Sequence, residues 1–257
     1  MKFNTRLVLT MLTVLLASAL QTSAQELRIA AAADLKFAMA ELVEQFEKHN
    51  GSKVEVSFGS SGNFFSQIEN AAPFDLFFSA DAEYPKKLDA ENLVERGTLY
   101  QYALGRMVIW TPAGNGLDVA TDGWKVLLDD RVKKIAIANP EHAPYGRAAV
   151  AALKSAGIYA QVKSKLVYGE NISQTAQFVQ SGNAQAGIVA LSLAISPAMN
   201  SGNRWDIPAA MHPPIEQTAV MLKGTKNKPA AHAFLEFLKS PAGRAILQEN
   251  GFGAPLP

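Results

Sequence analysis

Cysteine is absent from the 257 residues. That removes disulfides, thiolate metal sites, a catalytic thiol and the thiol that a lipid anchor needs. Charge of one sign is also lacking: 24 Lys and Arg stand against 23 Asp and Glu, with no run of five like charges. The chain therefore carries no electrostatic footprint for nucleic acid or an anionic membrane. Neither G-x-S-x-G, G-x-x-x-x-G-K-[ST] nor G-x-G-x-x-G occurs, so the usual nucleophile elbow and nucleotide loops are missing. The four histidines, His49, His142, His212 and His232, lie in separate segments without H-x-x-x-H spacing, and a zinc site would need long-range convergence. Asp129-Asp130 reads as a solvated loop, not an acid/base pair.

What is present is ordinary globular material, 48% hydrophobic and 18% charged, enough for one large or two compact domains. Lys2 and Arg6 precede an apolar run over residues 7–20, too short to span a membrane, followed by Thr22-Ser23-Ala24. This is the pattern of a secretory signal, and residues 1–24 are assigned to it with cleavage after Ala24. A second small-residue pattern, Ala17-Ser18-Ala19, allows an earlier cut. Losing Lys2 and Arg6 leaves 22 basic against 23 acidic residues, a net charge of about −1. The expectation is an exported protein of the periplasm, not tethered by lipid.

Along the remainder, strand and helix periods alternate. Residues 27–33 read as a strand, and Leu35, Met39, Leu42, Val43 and Phe46 as one face of a helix with Asp34 placed to cap it. Residues 54–58 alternate as a strand and lead through Gly59-Ser60-Ser61-Gly62-Asn63 into another helix, and residues 74–78 and 83–93 repeat the unit. Residues 103–110 are strand-like. A second series then runs through strand 134–138, helix 147–155, strand 166–168, helix 172–180 capped by Asn171, and strand 187–191. Residues 215–222 alternate like a strand, and 229–238 and 242–248 are helical. Repeated βα units predict parallel sheet flanked by helices, here in two lobes.

In such sheets ligands bind outside the carboxyl ends of strands, where helix N-termini present unpaired N–H groups. Four loops qualify: Ala33-Asp34, Gly59-Ser60-Ser61-Gly62-Asn63, Pro144-Tyr145-Gly146 and Gly169-Glu170-Asn171-Ile172. Ser60 and Ser61 read either as helix caps or, because Gly59 and Gly62 admit close approach, as a ligand loop. Tyr145 reads as a surface turn or as a hydroxyl aimed into a cleft. The helix capped by Asn171 aims the N–H groups of Ile172 and Ser173 between the lobes.

These motifs, taken in order, resemble the periplasmic molybdate-binding proteins of ABC importers, within the type II solute-binding proteins. They are Ala31-Ala32-Ala33-Asp34-Leu35, Phe58-Gly59-Ser60-Ser61-Gly62, Phe74-Asp75-Leu76-Phe77-Phe78-Ser79-Ala80-Asp81, Ala138-Asn139-Pro140-Glu141-His142-Ala143-Pro144-Tyr145-Gly146 and Gly187-Ile188-Val189-Ala190, with the ending Phe237-Leu238-Lys239-Ser240-Pro241-Ala242-Gly243. The resemblance implies the two-lobed type II periplasmic binding protein fold, α/β, each lobe a mostly parallel central sheet flanked by helices, with two hinge crossings. Lobe 1 would comprise residues 25–104 and 215–257, and lobe 2 residues 105–214. It implies a monomer without cofactor or catalysis that holds molybdate, and tungstate also, and delivers it to a membrane permease and its ATPase. Asp34, Ser61, Tyr145 and Ile172 would contact the oxyanion, the last through its N–H, with no direct metal-ion ligand.

Two positions depart from the family pattern. Asp34 stands where Ser or Asn is usual, and a carboxylate facing a dianion is repulsive by several kcal/mol in a partly desolvated cleft. Either it turns back to cap its helix, or it is protonated, or it accepts a proton from a protonated ligand. Ala190 stands where some members carry a ligand tyrosine, which Tyr145 would replace. The alternatives are a receptor for another oxyanion or for ferric iron, with Tyr100, Tyr102, Tyr145 and Tyr168 as candidate ligands, or an exported enzyme acting on a small anion.

Overall fold

The computed structural model describes residues 26–256. The signal segment and its cleavage positions lie outside them. Among the described residues no helix is long and apolar enough to cross a membrane.

The strands are β1 Leu27–Ala32, β2 Val54–Gly59, β3 Leu76–Ser79, β4 Tyr100–Gly105, β5 Met107–Thr111, β6 Ile135–Ala138, β7 Leu166–Gly169, β8 Ala186–Ala190, β9 Asn203–Asp206 and β10 Ile215–Met221. They form two five-stranded sheets, ordered β2-β1-β3-β10-β4 and β7-β6-β8-β5-β9. In the first, β1 pairs parallel with β2 and β3 while β10 is antiparallel to β3 and β4. In the second, β6 pairs parallel with β7 and β8 while β5 is antiparallel to β8 and β9. Each sheet is thus mixed, with four strands in one direction and a single reversed strand between them. The reversed strand is in both cases the first one after the chain has crossed from the other sheet.

Among the described residues the ten α-helices are α1 Lys36–Asn50, α2 Ser61–Glu69, α3 Glu83–Ala90, α4 Val119–Asp122, α5 Pro144–Ser155, α6 Tyr159–Val162, α7 Ile172–Gln180, α8 Leu191–Ala194, α9 Lys228–Lys239 and α10 Pro241–Glu249. Their apolar stripes explain their places. On α1, Ala38, Met39, Leu42 and Phe46 are buried at helical spacing, and Phe46 meets Phe234 of α9 edge-to-face at 4.9 Å. Strand period 2 divides β1 between two layers: Leu27, Ile29 and Ala31 join the core with α1, α9 and α10, and Ala30 joins the layer of Phe64, Ile68 and Leu88 on α2 and α3. The core of the second sheet takes in Ala32, Ala33, Ala80 and Ile215 from the first, so the two halves are packed against each other at the floor of the cleft.

The structure corrects two local expectations and adds one strand that was not foreseen. The apolar run 103–110 is two strands in different sheets, divided at Arg106 where the chain crosses between them. β9 pairs with β5 as an edge strand and carries too little apolar pattern to be read. Asp34 lies inside a 3-10 turn, Ala33–Leu35, and α1 begins without a side-chain cap. Burial against the rest of the cleft directs that carboxyl inward, overriding its local capping tendency.

Candidate functional site

The carboxyl ends of β1, β2 and β3 in one sheet and of β6 and β7 in the other face the same cleft. At its floor a small cavity of about 10 Å³, room for about one water-sized sphere, is lined by Asp34, Ser61, Ala80, Tyr145, Ile172 and the backbone near Gly59. The four residues expected at the site are therefore brought together around one cavity. That volume is below the range of organic-ligand pockets, which begins near ~300 Å³. Among the described residues no Lys, Arg or His lines it.

Ser61 opens α2 and is fully buried. Its Oγ accepts the Ala80 N–H at 2.9 Å, which leaves its own proton for the pocket. Ser60 is the cap: its Oγ accepts the Asn63 N–H at 3.3 Å and lies 3.0 Å from His142 Nδ1. At α7 the Asn171 Oδ1 accepts the N–H groups of Ser173 and Gln174, each at 3.0 Å. The N–H of Ile172, the first of the helix, is among the groups that no turn of helix can satisfy, and it carries the positive end of the helix dipole. Tyr145 follows Pro144 in the first turn of α5 and is 2% exposed. Burial, and then the nearby Asp34, hold its phenol proton on well above the ordinary range.

Asp34 is completely buried. Its Oδ2 accepts from Gln217 Nε2 at 2.7 Å, and Gln217 also reaches the Tyr145 hydroxyl at 3.4 Å. The other side of the Gln217 amide, Oε1, accepts the Tyr102 hydroxyl at 3.0 Å. Ser192 of α8 donates to the Asp34 carbonyl at 2.8 Å. Asp34 Oδ1 is buried with no hydrogen-bond partner. Burial raises this carboxyl to about 6, against the pull of the Tyr145 hydroxyl, the N–H groups of its own turn and Gln217.

An ion pair stands at the mouth. Arg147 of α5 donates to Asp81 Oδ2 and, at 3.3 Å, to the Tyr84 hydroxyl, with its guanidinium 5.4 Å from the Tyr84 ring centre. His142 Nε2 stands 3.4 Å from Glu170. Gly62 does not face the pocket as expected. Its N–H donates across the cleft to the His142 carbonyl at 2.9 Å, and a Cβ there would stand 2.7 Å from that oxygen, so glycine serves the approach of the two halves.

Sequence reading missed Gln217 and Arg147, and named Tyr102 only as a candidate iron ligand. A glutamine fully buried within β10 was the one signal available. Of the tyrosines considered as iron ligands only Tyr102 and Tyr145 come together, both on Gln217, whereas Tyr168 is 47% exposed and Tyr100 packs under Lys239. Among the described residues no three His, Asp or Glu cluster as a metal site would need.

Residues 27–253 match the family described as bacterial extracellular solute-binding protein. The molybdate-binding protein ModA of Azotobacter vinelandii is 41% identical over 249 residues, covering 96% of this chain and 97% of that one. ModA of Rhodobacter capsulatus is 37% identical over 243 residues, covering 95% and 94%. The solved periplasmic molybdate-binding protein of Azotobacter vinelandii superposes with a TM-score of 0.84 at 35% identity, covering 90% of this chain and all of that one. With two mixed sheets facing across a cleft and this likeness over nearly its whole length, the chain belongs to the bacterial extracellular solute-binding proteins, in the group of the periplasmic molybdate-binding proteins of ABC importers.

Proposed function

We propose that the protein is a periplasmic receptor that captures molybdate, and tungstate also, between its lobes and delivers it to the permease and ATPase of an ABC importer. The observation that carries this reading is the convergence of donors from both halves on one small pocket without a basic side chain. Those donors are the Ser61 hydroxyl, the Tyr145 hydroxyl and the Ile172 N–H. Fixed hydroxyls and helix-end dipoles stabilise a deprotonated tetrahedral anion with little reorganisation, and exclusion of water strengthens each bond. Asp34, Ser61, Tyr145 and Ile172 are the ligand contacts in this reading, all through hydrogen bonds to oxygen.

Residues 25–104 with 215–257 and residues 105–214 act as the two lobes of a hinge. Its two crossings lie at Arg106 and between β9 and β10. Binding closes the lobes, and the closed form is what the permease recognises. A smaller anion such as sulfate leaves donors unpaired, at about 1–3 kcal/mol each. The protein works as a monomer, without lipid anchor, and performs no catalysis: the pocket offers donors and no nucleophile paired with a base.

Isothermal titration calorimetry of the ligand-stripped mature protein with molybdate, tungstate, sulfate and phosphate tests this. Tight 1:1 binding of the first two with sulfate weak is expected. Preference for sulfate or phosphate, or heat from none of the four, overturns the reading.

A further inference from the structure

Apart from the phenol of Tyr145, Asp34 is the titratable side chain of the pocket, and its two carboxyl oxygens are not equivalent. Oδ2 is engaged as an acceptor by Gln217 Nε2, and the sense of that amide is set by the Tyr102 hydroxyl on its opposite oxygen. Oδ1 is buried, unpartnered and part of a residue lining the cavity. A tetrahedral oxyanion brings acceptors only. Against it an ionised Oδ1 sets acceptor on acceptor at a buried atom, whereas a protonated Oδ1 is a donor. Because Oδ2 already receives a proton donor, a proton added to this carboxyl belongs on Oδ1.

We propose that the receptor binds its oxyanion together with one proton, carried on Asp34 Oδ1 and donated to a ligand oxygen, with Gln217 and Tyr102 as positioning residues that direct the proton to that atom. The inference rests on the oxyanion reading above and adds a proton to its stoichiometry. The balance is simple: carboxylate, one proton from solvent and the dianion give a neutral carboxyl hydrogen-bonded to the dianion. No bond to the central atom is made.

The surroundings fit this role. From α5 and β4 the groups facing Asp34 are the phenols of Tyr145 and Tyr102, both kept protonated by burial. From β10 and α8 they are the neutral Gln217 and Ser192. α7, which packs on the Asp34 turn, carries no ionisable residue. Lys36, next along on α1, is exposed; at the mouth Arg147 pairs with Asp81, and Glu170 stands 3.4 Å from His142 Nε2. With the empty site titrating at about 6, the proton must be taken up at higher pH and is already in place below it.

The test is calorimetry of the wild-type mature protein with sodium molybdate at pH 8, in buffers of different ionisation enthalpy, repeated on Asp34→Asn. The slope of observed against buffer enthalpy counts protons. We expect about one proton taken up per anion by the wild type, and an affinity that weakens up to about tenfold per pH unit above pH 6. Both effects vanish in Asp34→Asn, whose amide donates without titrating. Tight binding by the wild type with no proton uptake overturns the inference and leaves the receptor reading standing, and uptake that persists in Asp34→Asn assigns the proton elsewhere and overturns it too. Absence of molybdate binding overturns both readings. The wild-type slope is decisive by itself, whatever the stability of the variant.

Discussion

The two halves of the cleft are built on one plan and filled with different chemistry. Reading β2-β1-β3-β10-β4 against β7-β6-β8-β5-β9 superimposes the strand order and the reversed strand. At the cleft end Ala32 lies opposite Gly59 in one sheet as Ala138 lies opposite Gly169 in the other. Beyond each glycine comes a capping side chain, Ser60 or Asn171, and then the first residue of a helix, Ser61 or Ile172. The first half adds side chains to this frame, a hydroxyl and a buried carboxyl. The second adds a phenol and the bare N–H of Ile172, the N–H groups of Ser173 and Gln174 being taken by Asn171. Backbone donors do not respond to pH and carry no net charge, so every acid-sensitive property of the floor is concentrated in one half.

The comparison is broken most forcefully at Asp34. Its carboxyl stands at about 6 in the fold against 3.8 ordinarily, so the neutral form is the one the fold favours. Its contribution is complete below pH 3.8 and is lost as pH rises through 6, up to about 3 kcal/mol. Asp34→Asn should therefore exceed the wild type in denaturant stability at pH 8 by as much as that, with the gap closing by pH 4. An equal gap at both pH values would refute the account.

In the second half the corresponding cut is Ile172→Pro. Proline is tolerated at the first helical position, and Asn171 already has the extended backbone that a following proline requires, φ −149° and ψ 174°. The variant removes one N–H, and the loss expected for a bond to an anion is about 1.5–3 kcal/mol, or roughly 10- to 150-fold in molybdate affinity. Affinity equal to that of an Ile172→Ala control shows that this N–H does not meet the ligand.

Tyr145→Phe comes next, with about a tenfold weakening. A change within a factor of two means that the phenol does not stand in for the tyrosine replaced by Ala190. Smallest is Arg147→Met at the mouth, because the Arg147 side chain is 37% exposed and such pairs contribute ~1 kcal/mol or less. Faster ligand release measured by stopped flow, less than about fivefold, is expected, with no change in the order of preference among anions.

Legibility followed the range of the interactions. α7 was readable to the residue, 172–180, because its cap and its apolar stripe are both local. The four cleft loops were readable because each joins a strand pattern to a helix pattern. The break at Arg106 was not, since the apolar run passes through it without a turn signal and only the pairing partners differ on either side. Asp34 misled for the same reason: its local tendency is to cap, and its actual partner, Gln217, is 183 residues away. The Arg147–Asp81 pair, 66 residues apart, was equally invisible.

The position of β10 between β3 and β4 bears on the order in which the molecule can assemble. The second sheet uses strands that follow one another without interruption, from β5 to β9. The first cannot join β4 to its neighbours until β10 has arrived, after the whole second half has been traversed. Contacts that span so much chain carry a larger loop-closure cost and form more slowly. A nascent chain that stops short of residue 215 thus holds every strand of one jaw of the clamp, and in the other jaw a gap where its only reversed strand belongs.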